Sequence, residues 1–176
     1  MKNRKNLFLV GLIIFGFCTV SQAENLHYYQ QVEAGKLKLI DCDVVAYGGT
    51  PASFTATIQA ARMGKRAILV SNNDFVGGLT SGGLTAVDWG ARRTIGGIAQ
   101  EFFARARPLK PTMAERTFLE MLSEAGVEVL LGRFLTAVET REEKLVSITL
   151  ESGETIKAKM FIDGTYEGDL LAAANV

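Results

Sequence analysis

A glycine-rich turn that begins at Gly48 has the residue types of an anion-binding site. The dinucleotide-binding fingerprint uses one glycine for the tight turn, a second for close approach to a pyrophosphate, and a third for packing of the helix on the strand. Only the first is matched, by Gly48, while Thr50 and Ser53 stand at the other two positions and can offer hydroxyls to phosphate. The N–H groups of Ala52 and Ser53 would face the anion from a helix N-terminus. A simple strand–helix turn is the alternative for this segment, which reads Gly48-Gly49-Thr50-Pro51-Ala52-Ser53.

The place for a ribose-binding residue lies about 20 residues further on, where such sites usually have an acidic side chain. Here the chain has Ser71 and Asn72, either of which can bond a ribose hydroxyl more weakly than a carboxylate. Asp74 is a further candidate, with a solvated loop residue as the alternative.

A second glycine-rich segment is also typical of an anion site, because paired glycines expose several N–H groups together. Thr80 and Ser81 add hydroxyls within it, and a flexible surface connection is the alternative. The segment reads Gly77-Gly78-Leu79-Thr80-Ser81-Gly82-Gly83.

The segment that follows this loop contains three candidates to face a substrate, namely Asp88, Trp89 and Arg92. The alternative is that these residues anchor the loop or are solvated. None has the setting of a general acid, base or nucleophile, so no catalytic residue is assigned.

These motifs lie between elements of an α/β protein. The pattern predicts a buried strand over Asp43–Tyr47, a helix over Ala52–Met63 and a second strand over Ala67–Val70. Parallel pairing through a right-handed crossover is the expected topology. Further along, the pattern predicts helices over Ile98–Arg107 and Ala114–Ala125 and a third strand over Val127–Leu131.

After Gly132 the hydrophobic period changes to two. Turn signals at Glu142-Glu143 and Ser152-Gly153 then predict an antiparallel meander, with the alternation continuing through Ile156, Ala158 and Met160. The last apolar run ends at Asp163-Gly164, and a helix is expected to start near Gly168.

Three motifs follow one another along the chain, at Tyr47–Ala52, Phe75–Leu84 and Ile162–Ala174. Together they resemble the N-terminal part of secreted bacterial FAD-dependent oxidoreductases, the xanthan lyase-like flavoproteins. The resemblance covers Asp41–Val176 and implies a Rossmann-like FAD-binding fold with a strand–helix–strand start and an inserted meander, incomplete at its C-terminus. The cofactor it implies is FAD.

The resemblance also implies a role for each motif. Gly48–Ser53 would hold the FAD pyrophosphate, and Gly77–Gly83 would line the pyrophosphate and flavin side. Asp163, Gly164 and Thr165 would end a strand beside the cofactor. Ser53 and Ser71 stand where the family usually has Gly and Glu, so the resemblance is weakest on the adenosine side.

The N-terminus has the pattern of a secretory signal peptide over residues 1–23. Lys2, Arg4 and Lys5 precede an apolar run over Leu7–Val20, and Ser21-Gln22-Ala23 provides small residues for cleavage. A single-pass anchor is the alternative. The predicted organisation is a signal peptide, a lead-in segment over residues 24–40 and a partial FAD-binding domain over 41–176. We therefore expect export to the periplasm or the extracellular space, without membrane attachment after cleavage.

Charge and composition limit the classes of partner and cofactor that the chain is expected to bind. Nineteen Lys plus Arg balance 19 Asp plus Glu, which disfavours a nucleic-acid partner. After cleavage only Cys42 and His27 remain of their types, so we expect no internal disulfide, iron–sulfur cluster or metal site. The expected partner is a small-molecule substrate of unassigned identity, and the oligomeric state stays open.

The functional hypothesis is the cofactor-binding N-terminal portion of an exported FAD-dependent oxidoreductase. A truncated, non-catalytic fragment that does not retain FAD is the first alternative. An NAD(P)-binding Rossmann module is the second, although it does not explain the loop over Gly77–Gly83. Self-association is also expected, because the predicted parallel sheet has an unpaired edge.

Overall fold

The computed structural model describes residues 35, 37–84, 87 and 90–176. The predicted signal peptide, most of the lead-in segment, His27, Asp88 and Trp89 lie outside the described residues. No helix in the described part of the chain is long and apolar enough to cross a membrane.

The described residues form eight strands, four α-helices and two short 3₁₀ turns. The strands are β1 Lys38–Asp41, β2 Val44–Tyr47, β3 Ala67–Val70, β4 Glu128–Leu130, β5 Leu135–Arg141, β6 Lys144–Leu150, β7 Glu154–Lys157 and β8 Met160–Asp163. The helices are α1 Pro51–Arg62, α2 Gly97–Arg105, α3 Pro111–Glu124 and α4 Asp169–Ala173. The 3₁₀ turns are Gly78–Thr80 and Arg92–Thr94.

A parallel sheet in the order β4-β3-β2-β8 is the centre of the fold. Helix α1 makes the crossover between β2 and β3, as the strand–helix–strand pattern predicts. All four residues of β3 are buried, because both faces of this sheet are covered.

The two faces of the parallel sheet meet different layers. On one face, Leu69 packs with Phe54 of α1 and with Phe118 of α3 in a helical core. On the other, Ile68 packs with Ile148 of a second sheet. That sheet is the meander, in the order β1-β7-β6-β5.

The largest difference from the predicted elements lies between Ile156 and Met160. The alternation there predicts one strand, but β7 ends at Lys157 and β8 begins at Met160 in the other sheet. The chain changes sheets because the N–H groups of Lys159 and Met160 both donate to the carbonyl of Asp43 (3.2 and 3.0 Å). Strand β1 also crosses the predicted boundary at residue 41, since it pairs in parallel with β7.

Candidate functional site

Three of the predicted motifs follow strands whose carboxyl ends meet at one edge of the parallel sheet. Tyr47 of β2 lies opposite Val70 of β3 and Asp163 of β8. Gly48, Ser71 and Gly164 come directly after these residues. Ligands of open α/β sheets bind outside the carboxyl ends of the strands, so this edge is the candidate site.

The glycine turn and the glycine loop are in direct contact. The carbonyl of Gly49 accepts hydrogen bonds from the N–H groups of Gly77 (2.7 Å) and Gly78 (3.0 Å). A Cβ at Gly49 would lie 3.0 Å from the carbonyl oxygen of Phe75. The glycine loop therefore packs against the glycine turn and holds the carbonyl of Gly49 in place.

The third motif contacts the same turn. The N–H of Gly164 donates to the carbonyl of Tyr47 (2.8 Å), and the Thr50 hydroxyl donates to the carbonyl of Gly164 (2.5 Å). Gly48 has φ +112°, and a Cβ there would lie 2.6 Å from the carbonyl carbon of Gly164. The structure thus brings all three motifs together.

The turn has backbone donors without acceptors. Among the described residues, the N–H groups of Gly49, Thr50 and Ala52 have no hydrogen-bond acceptor. Thr50 is the N-cap residue of α1, but its side chain does not cap the helix. Gly49 and Thr50 are buried and Ala52 is exposed. Successive unpaired donors at a helix N-terminus form an anion-binding concavity, and a buried orphan donor calls for a missing acceptor.

Ser53 and Thr50 do not offer hydroxyls to a ligand, which corrects the expectation from the fingerprint. Ser53 is fully buried, and its Oγ lies against Gly164 without a hydrogen-bond partner. Its N–H has no hydrogen-bond acceptor among the described residues, so the expected contact of this N–H with an anion stays a prediction. The close helix–strand packing normally provided by a third glycine is achieved here by Gly164 on the strand side.

Ser71 serves the fold rather than a ribose, and its predicted contact is corrected in the same way. It is fully buried, its hydroxyl donates to the carbonyl of Phe75 (3.0 Å), and its Oγ accepts from the N–H of Asn73 (3.1 Å). Asn72 is half-buried, whereas the next residues, Asn73 and Asp74, are exposed. Asp74 lies against Gly132, where a Cβ would be 2.7 Å from its Oδ1.

The N–H groups of residues 77 to 82 all donate to other groups of the protein, so the predicted concavity of loop N–H groups is not present. The N–H groups of Thr80, Ser81 and Gly82 donate to the carbonyls of Gly77 or Gly78. The Ser81 hydroxyl donates to the carbonyl of Val76 (2.5 Å). The half-buried Thr80 has no side-chain hydrogen bond to a described residue, whereas Leu79, Gly82 and Gly83 are exposed.

Tyr166 is a residue of this site that the sequence reasoning did not single out. Its hydroxyl accepts the N–H of Leu79 (2.9 Å), and a Cβ at Gly78 would collide with that hydroxyl. Its place within the third motif was the available signal.

Asp163 organises the third motif through its carboxylate. Oδ1 accepts from the N–H and hydroxyl of Thr165 (2.9 and 2.6 Å), and Oδ2 accepts from the N–H of Leu171 (2.9 Å). Burial is the largest single influence and raises the pKa of Asp163, but these hydrogen bonds together hold it below its ordinary value. The side chains of Asp163 and Thr165 are therefore engaged within the protein.

Cys42 lies at the opposite end of β2 from the glycine turn. Burial raises the pKa of its thiol to about 11, against the opposing charge of Arg66. The thiol is therefore protonated at neutral pH. No group of three His, Cys, Asp or Glu side chains able to hold a metal occurs among the residues that the structure describes.

The parallel sheet, its crossover helix and the donor-lined glycine turn define a dinucleotide-binding α/β protein with a Rossmann-like fold. The chain belongs to the family described as FAD dependent oxidoreductase, whose model matches residues 43–176. No curated protein matches the sequence.

Solved structures show the same fold at low identity. L-proline dehydrogenase from P. horikoshii is similar with a TM-score of 0.58 and 14% identity, over 78% of this chain and 56% of that one. Thermovibrio ammonificans THI4 is similar with a TM-score of 0.55 and 20% identity, over 77% of this chain and 64% of that one. A geranylgeranyl bacteriochlorophyll reductase-like protein from Thermoplasma acidophilum is similar with a TM-score of 0.54 and 15% identity, over 78% of this chain and 43% of that one. The chain thus spans only part of each of these proteins.

FAD is the cofactor of this family, and the donor set of the turn fits it. A diphosphate offers oxygen acceptors to the orphan N–H groups of Gly49, Thr50 and Ala52, at the positive end of α1. FAD supplies the redox chemistry when bound, while the protein binds and orients it.

Proposed function

We propose that this chain is the cofactor-binding portion of an exported, FAD-dependent oxidoreductase that acts on a small-molecule substrate. The contact that carries the proposal is the double hydrogen bond from Gly77 and Gly78 to the carbonyl of Gly49. It supports the turn at the carboxyl edge of the sheet, where three N–H groups have no acceptor among the described residues.

In this proposal the cofactor-contacting groups are few. The N–H groups of Gly49, Thr50 and Ala52 bind the diphosphate, and the half-buried Asn72 is the residue proposed for the adenosine ribose. Thr80 supplies a hydroxyl on the flavin side. Gly77, Gly78 and Gly164 act as supports, because their contacts are to the turn itself.

The direct test is to express the chain from Glu24 onward and record its absorption spectrum. We expect yellow flavin absorbance in the purified protein, or its recovery after incubation with FAD and removal of free cofactor. Calorimetric titration with FAD and NAD should give heat only with FAD. A colourless protein that ignores added FAD would contradict the proposal, and tighter binding of NAD would favour a nicotinamide module.

Export is supported by the basic, apolar and small-residue segments before Glu24. The full chain should be produced in a bacterial host, and the N-terminus of the periplasmic protein should be sequenced. We expect it to begin at Glu24. A product that keeps Met1 and stays with the cytoplasm would contradict export.

A further inference from the structure

Helix α2 presents a charged face whose acidic side chain is already paired. Glu101 accepts a bidentate ion pair from Arg62 (2.8 and 2.6 Å). Arg105 pairs with Glu124 on α3 (2.7 Å). Both carboxylates are therefore neutralised, Glu101 by an arginine of α1 and Glu124 by an arginine of α2 itself.

A different face of α2 lines a cavity of about 330 Å³, at the lower end of the range for small-molecule sites. Its described lining combines half-buried apolar residues with exposed polar ones, and includes no carboxylate. The larger apolar members are Ile95, Phe103 and Leu109, with Ala104 and Ala106 beside them, and the polar members are Arg92, Gln100 and Arg107.

Arg107 is held against the wall of this cavity. Its Nε donates to the carbonyl of Phe103 (3.2 Å). The terminal N–H groups of Arg107 make no hydrogen bond to a described residue. A planar guanidinium with free terminal donors matches the two oxygens of a carboxylate.

The floor of the cavity belongs to the rigid core. The Phe103 ring lies 5.1 Å from that of Phe102, which stacks on Phe118 at 4.0 Å. Phe118 in turn lies against Gly77 of the glycine loop. The apolar part of a ligand would therefore rest on packed aromatic rings, next to the layer that supports the loop.

We infer that this cavity binds a small organic carboxylate, with the carboxylate on Arg107 and the apolar body against Phe103 and Leu109. The inference does not depend on bound flavin, so its test and the test of FAD binding can fail separately.

The test is a calorimetric titration of the full chain, without added flavin, with three probes. Benzoate carries both features, benzamide keeps the ring without the charge, and inorganic phosphate is an anion without an apolar body. We expect benzoate to bind at least about tenfold more tightly than either of the others. Equal affinities, or no benzoate binding up to about 10 mM, would overturn the inference.

Arg107→Gln should weaken benzoate binding at least about tenfold and leave benzamide unchanged, because it removes the charge and keeps a polar side chain. Arg93→Gln is the matched control, since Arg93 is an exposed arginine beside Arg92 and does not line the cavity. An equal loss in both variants would mean a general charge effect and would overturn the site. If Arg107→Gln does not fold, the three-probe comparison on the unmodified chain still decides.

Discussion

At the scale of single residues, the candidate site depends on how closely the turn after β2 approaches Gly164. Gly48 needs a left-handed conformation and has no room for a Cβ, because the carbonyl carbon of Gly164 would lie 2.6 Å away. The Thr50 hydroxyl holds the same carbonyl. In the turn that these contacts shape, the N–H groups of Gly49, Thr50 and Ala52 have no hydrogen-bond acceptor among the described residues.

Gly48→Ala should therefore lower the free energy of unfolding by more than about 2 kcal/mol, through backbone strain and collision. Two other glycines separate these causes. Gly83→Ala has φ +105° without a neighbour within 4 Å and should cost about 1 kcal/mol, from strain alone. Gly90→Ala has neither feature and should stay within about 0.5 kcal/mol of the unmodified chain. Urea unfolding measures all three, and equal costs at positions 48 and 83 would contradict the close approach.

The two hydroxyls of the turn should respond in opposite directions. Ser53→Ala removes a buried hydroxyl without a partner and should leave stability unchanged or raise it by up to about 1 kcal/mol. Thr50→Val removes the donor to Gly164 while keeping the shape and should cost about 1–2 kcal/mol. Thermal and urea unfolding of both variants checks this. Destabilisation by Ser53→Ala would show that its hydroxyl has an acceptor.

At the scale of elements, Asp163 connects the end of β8 to the start of α4. Its carboxylate accepts from Thr165 and from the N–H of Leu171, which lies in the first turn of α4. The ionised form is the one these donors stabilise, so the pKa of Asp163 is lowered. A lowered pKa adds stability above the ordinary value of the group, and this stability is lost as the pH falls through the folded-state value.

Asp163→Asn should thus destabilise the chain by about 1–2 kcal/mol at neutral pH, since one amide oxygen cannot replace two carboxylate oxygens. The difference from the unmodified chain should shrink as the pH falls below about 4. Urea unfolding at a series of pH values gives the comparison. Glu167→Gln, at an exposed residue in the same loop, is the control. A difference that does not change with pH would contradict the role of the charge.

Most elements could be predicted because their signals are local. Pro51 at the start of α1, the apolar run before Gly48 and the period-two pattern of the meander each depend on neighbouring residues. The change of sheet after Lys157 could not be predicted, because it depends on the distant carbonyl of Asp43.

The candidate site was predicted in the same uneven way. The three motifs were recognised, and the structure brings them together at one edge of the sheet. The donors of the glycine loop were assigned to a ligand, whereas those of Gly77 and Gly78 bind the carbonyl of Gly49. Ser53 and Ser71 were interpreted as surface donors but are buried against distant segments. Contacts between residues remote in sequence, such as Gly49 with Gly77 and Ser53 with Gly164, leave no local pattern.

At the scale of the whole molecule, the parallel sheet has β8 at one edge among the described strands. A cavity of about 480 Å³ lies beside this edge, with Phe161, Leu170 and Leu171 in its lining. Met160 at the start of β8 is 58% exposed. An open strand edge next to apolar surface favours pairing with another chain.

We therefore predict that the chain self-associates and that Met160→Lys reduces this, because a lysine on an edge strand opposes strand pairing. Light scattering over a concentration series is the measurement. Met63→Lys is the control, since Met63 is also exposed but lies at the end of α1. A monomer at high concentration, or an equal effect of both variants, would contradict the prediction.

The central claim is that the orphan N–H groups of the turn bind the FAD diphosphate, and amide hydrogen exchange followed by NMR tests it most directly. In the free chain, the amides of Gly77 and Gly78 should exchange slowly, and that of Ala52 should exchange fast. Added FAD should slow exchange at Gly49, Thr50 and Ala52, whereas riboflavin, which has no phosphate, should not. Slowing by FAD that is absent from these three amides, or that riboflavin reproduces, would contradict the account.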